Sequence, residues 1–321
     1  LDTVDVPKEN GDIMSLQRAN RLQGEGDMLL AVCQREATYL LLGEYKLTNA
    51  DNSSLSTISS DLIGTIRNLG EAIGMSNKAS IYNRDGDIFW WDNYKKHVVR
   101  FNKKGLTVIS DLKMKSEFIG KDGVAKFAYD PFYDMIHVNV GGTTSFGFSE
   151  RRNGWMSEYE MDYNFGVHYG DMMLLFNGGS LFKSLQTSAT NKYGELLGTA
   201  KQGFIKYVMN SGNPIYPEWI RVNHSMDVVD YSQPNHVEAS LIGIVINNEN
   251  GQETNISEGM FDLEDNLLYS SVYRDTNSAG GLIEGDHMRG SQTTFGVTLK
   301  DNTQDNRIFV IDVEVSRVLG H

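Results

Sequence analysis

The sequence has little proline and almost no cysteine: 5 prolines and one cysteine, Cys33, in 321 residues. A single cysteine excludes an intrachain disulfide framework. Cys33 lies in the apolar run 28–33, where a thiol packs as a small hydrophobe. No apolar run approaches the ~20 residues that a membrane helix needs, no signal peptide is visible, and no membrane partner is expected. Cations are short as well: Lys and Arg number 29 against 42 Asp and Glu, which leaves a net charge of −13. That balance argues against a grip on nucleic acid, which needs cations clustered on the phosphates. It suits a self-repelling surface, or a passage that polyanions cross without sticking. Long helical periodicity is missing throughout. The chain begins at Leu1 rather than Met, so trimming and a cut in a longer precursor both stay open.

Glycine is plentiful, at 32 residues, and hydrophobic residues make up 40%. The chain can therefore bury a core, and it reverses direction at Gly and Asn, as many-stranded antiparallel proteins do. The stretch 80–110 shows this best. It reads as four short strands, 80–83, 87–91, 97–102 and 106–110, turned at Arg84-Asp85-Gly86-Asp87 and Lys103-Lys104-Gly105. Four strands in about thirty residues is the size of one propeller blade. Ile88, Phe89, Trp90, Trp91, Val98, Val99 and Phe101 suit a pleated surface. Trp90 and Trp91 must point to opposite faces. One is expected in a blade-to-blade core and the other on an outer or contact face.

The pattern recurs. Segments 124–129, 135–140, 143–148 and 154–161 make a second set, and 165–168, 171–176 and 180–185 a third. Before the blades, 1–26 reads as an extended, poorly packed arm, or one that pairs outside the chain. A hairpin of 27–33 and 37–42 follows, with 44–47 as a continuation. The polar stretch 48–60 reads as a loop. So does 62–74, because Gly64, Gly70 and Gly74 weaken a helix. Longer strands come after 203: 204–209, 219–229, 238–246, 260–269, 293–300 and 307–315. The expected fold is all-β, with propeller-like blades of antiparallel strands followed by a β-sandwich. The expected domains are 1–74 (arm and first strands), 75–202 (propeller-like) and 203–321 (sandwich).

Few residues invite chemistry. The seven histidines, His97, His137, His168, His224, His236, His287 and His321, show no metal-site spacing. Glu150, Glu158 and Glu160 could supply a glycosidase pair, with a solvated strand face as the default reading. Asn83–Asp87 resembles the start of a calcium loop but lacks its closing Glu, and a hairpin turn accounts for it. Gly141-Gly142 and Gly178-Gly179 are not followed by Lys-Ser/Thr and are not phosphate loops. Asn52, Asn223 and Asn255 head glycan-acceptor triplets. No catalytic, cofactor-binding or metal residue is assigned, and no cofactor is expected.

The block 62–112 resembles the tail nozzle proteins of short-tailed phages, most closely the muzzle proteins of crAss-like phages. The residues that carry this are Leu62-Ile63-Gly64-Thr65-Ile66-Arg67-Asn68-Leu69, Ala79-Ser80-Ile81-Tyr82, and the closing run from Val98-Val99-Arg100-Phe101 through Gly105-Leu106 to Ile109-Ser110. Phe146-Gly147-Phe148-Ser149-Glu150 to Gly154-Trp155-Met156 is similar to a family hairpin. Met288-Arg289-Gly290 is similar to the step before its last strands. The resemblance spans 30–315. It implies a virion tail location, a ring of six chains around the DNA exit channel, and no enzyme activity. The implied partners are further copies of the chain, other tail ring proteins, a cleaved N-terminal fragment that completes the first sheet, and passing DNA without sequence-specific contact. Two other readings compete. One is a carbohydrate-binding or glycoside-cleaving propeller, testable at Glu158 and Trp155. The other is a cell-surface adhesion module.

Overall fold

The computed structural model describes residues 4–20, 27–48, 54–183, 195–200, 203–210, 218–229, 241–264, 267–299 and 305–316. The chain divides into two compact units, Leu1–Leu185 and Gln186–His321. The architecture is all-β, built from several antiparallel sheets. Among the described residues, α-helix is confined to α1 (Lys115–Ile119) and α2 (Gly281–Glu284).

In the first unit each sheet takes its strands in chain order, hairpin after hairpin. Sheet A holds β1 (Ile13–Ala19), β2 (Asp27–Cys33), β3 (Ala37–Thr48) and β4 (Ser54–Asn68). Sheet B holds β5 (Ile81–Arg84), β6 (Asp87–Asp92), β7 (His97–Asn102) and β8 (Gly105–Val108). Sheet C holds β9 (Ala125–Asp130), β10 (Met135–Val140), β11 (Ser145–Ser149) and β12 (Gly154–Tyr159). Sheet D has three strands, β13 (Phe165–Tyr169), β14 (Met172–Asn177) and β15 (Ser180–Lys183). Several of the turns that separate these strands are glycine turns read from the sequence: Gly86, Gly105, Gly141, Gly178 and Gly179 all have positive φ, where a Cβ is costly.

Alternation then stacks the sheets face to face. Met28, Leu30 and Val32 of β2 and Tyr39 and Leu41 of β3 meet Ile88, Trp90, Val99 and Phe101 of sheet B in one core. Phe89, Trp91 and Val98, on the opposite face of sheet B, meet Phe127, Ile136, Val138, Phe146 and Phe148 of sheet C in a second core. Of the outer or contact face expected for one Trp, it is a contact face that is found: Trp91 packs against sheet C. Sheet B is covered on both sides, and Trp90 and Trp91 are both buried. Helix α1 exists to plug the second core. Its Phe118 packs against Trp91, Phe146 and Trp155 at ring separations of 6.0, 5.5 and 5.0 Å.

Three further expectations are corrected. Residues 13–19 are not a loose arm, because β1 pairs antiparallel with β2. The preceding residues are tied down as well. The Asn10 side chain donates to Thr38 Oγ1 at 2.7 Å, and Arg35 N–H donates to the Asn10 carbonyl at 3.0 Å. Residues 54–68 are not loop but the long strand β4, paired with β3. The register slips twice along that pair, which breaks the two-residue alternation by which a strand is recognised. The apolar stretch 260–269 is not one strand. A 3₁₀ turn at Glu258–Met260 leads into β22 (Asp262–Glu264) and β23 (Leu267–Ser271), which pair antiparallel with each other. The parts of the expected segments 1–3, 21–26, 49–53 and 184–185 lie outside the described residues.

The second unit opens with the short ladder β16 (Glu195–Leu196) and β17 (Thr199–Ala200). Its larger strands are β18 (Phe204–Asn210), β19 (Glu218–Val229), β20 (Leu241–Asn248), β21 (Glu253–Ser257), β24 (Gln292–Leu299) and β25 (Asp305–Ser316). One sheet runs β18-β24-β20-β21 and the other β22-β23-β19-β25. Ile244, Ile246, Ile256, Met288, Phe295 and Val297 form a core on the first of these sheets, and Tyr207 stacks on Phe295 at 5.2 Å. The Arg-Gly step before β24 has a local cause. The Glu249 carboxylate accepts from Ser291 N–H at 2.6 Å and Gln292 N–H at 3.0 Å. A Cβ on Gly290 would lie 2.6 Å from that carboxylate.

Candidate functional site

The densest polar arrangement in the first unit grows from the turn Asn83–Asp87. Asn83 Oδ1 accepts Gly86 N–H at 2.8 Å, which closes the turn. The Asn83 side-chain amide reaches back to Gln17 and to the Arg18 carbonyl on β1. Asn20 donates to Asp87 at 2.8 Å, and its N–H to the Gly86 carbonyl at 2.9 Å. Of the oxygens that suggested a calcium loop, those of Asn83 and Asp87 are therefore engaged with protein donors. Among the described residues no set of three His, Cys, Asp or Glu is grouped to hold a metal ion.

Arg84 is the hub. Its guanidinium pairs with Asp87 at 3.0 Å within sheet B, with Asp134 at 3.3 Å in the β9–β10 turn, and with Glu150 in the β11–β12 turn. Arg100 of β7 reaches the same Glu150 at 3.5 Å. Arg84 also lies over the Tyr129 ring, 4.6 Å from its centroid, and Tyr129 OH donates to Asp134 at 2.9 Å. Burial works against the Arg84 charge, but Glu150 beside it and the hydrogen bond to Asp87 outweigh this and raise its pKa. A planar fork with several donors can hold three carboxylates at once. The cluster is a clamp that joins sheets A, B and C at one end.

A second polar layer lies between sheets C and D. Asp130, His137 and Asn139 are buried there. Asp130 accepts from the N–H groups of Phe132 and Tyr133. His137 Nε2 stands 4.0 Å from Asp130 Oδ2, too far for a hydrogen bond. Burial lowers the His137 pKa to about 4 and raises that of Asp130, so the imidazole is neutral near pH 7. Tyr163 OH donates toward the carbonyls of Lys126 at 3.2 Å and His137 at 3.1 Å, and Asn139 donates to the Met161 carbonyl at 3.1 Å. The segment that leads into sheet D is thereby pinned to sheet C. At the far end, Tyr82 OH lies 2.9 Å from His168 Nδ1. Burial is the main cause that pushes the Tyr82 hydroxyl up to about 12.

The candidates for sugar chemistry are scattered. Glu158 is exposed on β12, Glu160 lies beyond the end of that strand, and Glu150 is held by two arginines. Trp155 is not a stacking platform. Its indole N–H donates to the Ile109 carbonyl at 2.9 Å, and its ring packs on Phe118 and Phe148. Of the histidines, His97 lies 3.9 Å from Asp111, and His236 and His321 fall outside the described residues. Gly141-Gly142 and Gly178-Gly179 form hairpin turns. Asn223 sits in β19, a strand paired on both sides. A cleft of about 360 Å³ is lined by Gln34, Arg35 and Tyr94, with no carboxylate among them. The Arg84 clamp was hidden in the sequence because its partners lie up to 66 residues away. The signal that could have found it is the pair Arg84 on β5 and Arg100 on β7, two cations on the strands that flank apolar β6.

Residues 44–178 match the family model of the Crassvirus muzzle protein, so the family resemblance read from the sequence is borne out over that stretch. It takes in the end of β3, all of β4, all of sheets B and C, and the first two strands of sheet D. No curated protein matches the chain.

Proposed function

We propose, from the muzzle-family match as premise, that this protein is a structural component of the phage tail, a subunit of the distal ring through which DNA leaves. The observation that carries the proposal is the coincidence of the matched stretch with the most tightly locked part of the fold. Two buried apolar cores and the Arg84 clamp all lie within or beside 44–178. Face-packed, cross-clamped sheets resist deformation, since packed interiors have low compressibility. That suits a wall whose task is shape, and the reading assigns no catalytic role.

The propeller arrangement belongs to the same proposal. Sheets A, B and C are each four strands in chain order, and β9 touches both β5 and β13, the first strands of the neighbouring sheets. First strands side by side are what blades around an axis present. A sandwich in the second unit, a ring of six copies, and contacts with other tail proteins and a cleaved N-terminal fragment complete the reading. The net charge of −13 would let duplex DNA pass without trapping it.

The test is labelling of purified virions with an antibody to this chain, followed by electron microscopy of the tails. Label at the distal end of the tail, with ring density there that accommodates stacked four-stranded sheets, is the expected result. Label confined to the head, or no chain in the particles, would end the proposal.

A further inference from the structure

Four hairpin turns of the first unit share one end of sheets B and C. The first and third turns of a four-stranded meander fall on the same edge, which places turn 84–87 with 102–105, and turn 130–135 with 149–154. The two edges coincide, because Arg84 reaches Asp134 and Glu150, and Arg100 reaches Glu150. Phe132 and Tyr133, at the tip of 130–135, are 68% and 53% exposed and meet edge to face at 4.9 Å. Lys103, Lys104, Arg151 and Arg152 are exposed in the flanking turns, and among the described residues none of them is in an ion pair. The carboxylates of Asp87, Asp134 and Glu150 are held by Arg84 and Arg100, which leaves Asp85 exposed. Cations therefore lead at this end of a chain whose net charge is −13. The turn backbones are satisfied from within. Asp130, itself 2% exposed, accepts from Phe132 N–H at 2.9 Å and Tyr133 N–H at 3.3 Å. Asn102 accepts from Lys104 N–H at 2.9 Å, and Ser149 Oγ from Arg152 N–H at 3.3 Å. What this end presents is an apolar knob flanked by cations.

We infer that this end docks on the surface of an anionic phospholipid bilayer, with Phe132 and Tyr133 entering the headgroup region and the four cations on lipid phosphates. Aromatic rings settle at the membrane–water interface, and basic side chains are drawn to anionic headgroups. Satisfied N–H groups lower the cost of taking the tip out of water. The same features disfavour nucleic acid, the other polyanion that cations and aromatics can hold. Phosphate contacts draw on free backbone N–H groups, whereas those of 104, 132, 133 and 152 are engaged. Base stacking needs an open ring face, and here one ring closes on the face of the other. The lack of a ~20-residue apolar run excludes a spanning helix, not a hairpin tip that rests on the surface.

The experiment is flotation of the full chain with vesicles of phosphatidylcholine that contain about one-third phosphatidylglycerol, with single-stranded oligothymidylate offered separately. Wild type floats with these vesicles and is left behind by pure phosphatidylcholine. The double variant Phe132→Ser, Tyr133→Ser lowers the bound fraction about tenfold, and so, independently, do Arg151→Glu, Arg152→Glu and Lys103→Glu, Lys104→Glu. Tyr94→Ser removes an exposed aromatic from turn 92–97, at the opposite end of sheet B, and leaves flotation unchanged. Melting temperatures near that of wild type show that the variants are folded. No flotation of wild type, flotation that survives all three double variants, or an equal loss in Tyr94→Ser would overturn the inference. Capture of oligothymidylate that Phe132→Ser, Tyr133→Ser abolishes, with vesicles ignored, would overturn it in favour of single-stranded nucleic acid.

Discussion

Trp90 and Trp91 are consecutive residues that never share a core: the first packs between sheets A and B, the second between sheets B and C. Each buries about 200 Å² of side chain, a gross gain of about 5 kcal/mol. Trp90→Ala and Trp91→Ala should therefore each cost about 3–5 kcal/mol, with similar shifts in urea midpoint. A strand with one wet face would show one large loss and one small one. Equal losses are the outcome that two covered faces require.

Close approach at sheet D makes a second prediction. A methyl on Gly166 meets Ala128 Cβ at 2.4 Å and the Phe127 carbonyl at 2.9 Å, and neither is the end of a flexible side chain. Gly166→Ala should destabilise by about 1–3 kcal/mol. Gly154→Ala, whose Cβ would come no nearer than 3.8 Å to the Arg152 carbonyl, should be close to neutral. Thermal melts of the two variants side by side decide the point.

The Arg84 clamp should behave as one unit. Arg84→Ala leaves Glu150 with Arg100 alone at 3.5 Å, and should cost about 2–3 kcal/mol, below the full penalty of an unpaired buried charge. Glu150→Gln in the same chain should recover part of that loss, with a coupling of about 1 kcal/mol in a double-mutant cycle. Strict additivity would mean that the two groups do not interact.

Acid should loosen the boundary between sheets C and D. Burial holds His137 at a pKa of about 4, against ~6.5 in an unfolded chain. Between those values the unfolded chain binds a proton that the folded chain refuses. Stability on this account falls by about 1.4 kcal/mol per pH unit as pH drops from ~6.5 toward 4, and levels off below. Asp130 has the opposite sign: burial raises its carboxyl pKa, so protonation relieves it and softens the loss at the acid end. Denaturation between pH 4 and 7.5 should show a steeper acid slope in wild type than in His137→Leu. Parallel curves would remove His137 from the account.

How far the fold was legible follows from where alternation and turn chemistry agree. Between 80 and 183 they agree: Gly86, Gly105 and Gly178 mark hairpins, and Ile88 to Trp91 and Val98 to Phe101 mark strands. Strand β4 was opaque because its partner β3 slips register twice, so no single alternation survives in 54–68. Strand β1 was opaque for another reason: Ser15, Gln17 and Arg18 make a polar edge, and only β2 beside it turns the segment into a strand. The clamp was out of reach because Arg84, Asp134 and Glu150 meet only when sheets B and C stack.

The order of strands sets the order of folding. In the first unit each hairpin closes between sequence neighbours, so loop-closure entropy is small and the sheets can form one after another as the chain leaves the ribosome. The second unit has no such freedom. Strand β24 lies between β18 and β20, and β25 flanks β19, so neither large sheet is complete until the last strands have been synthesised. A chain cut short before 292 should leave the first unit folded beside an unpaired, aggregation-prone remainder.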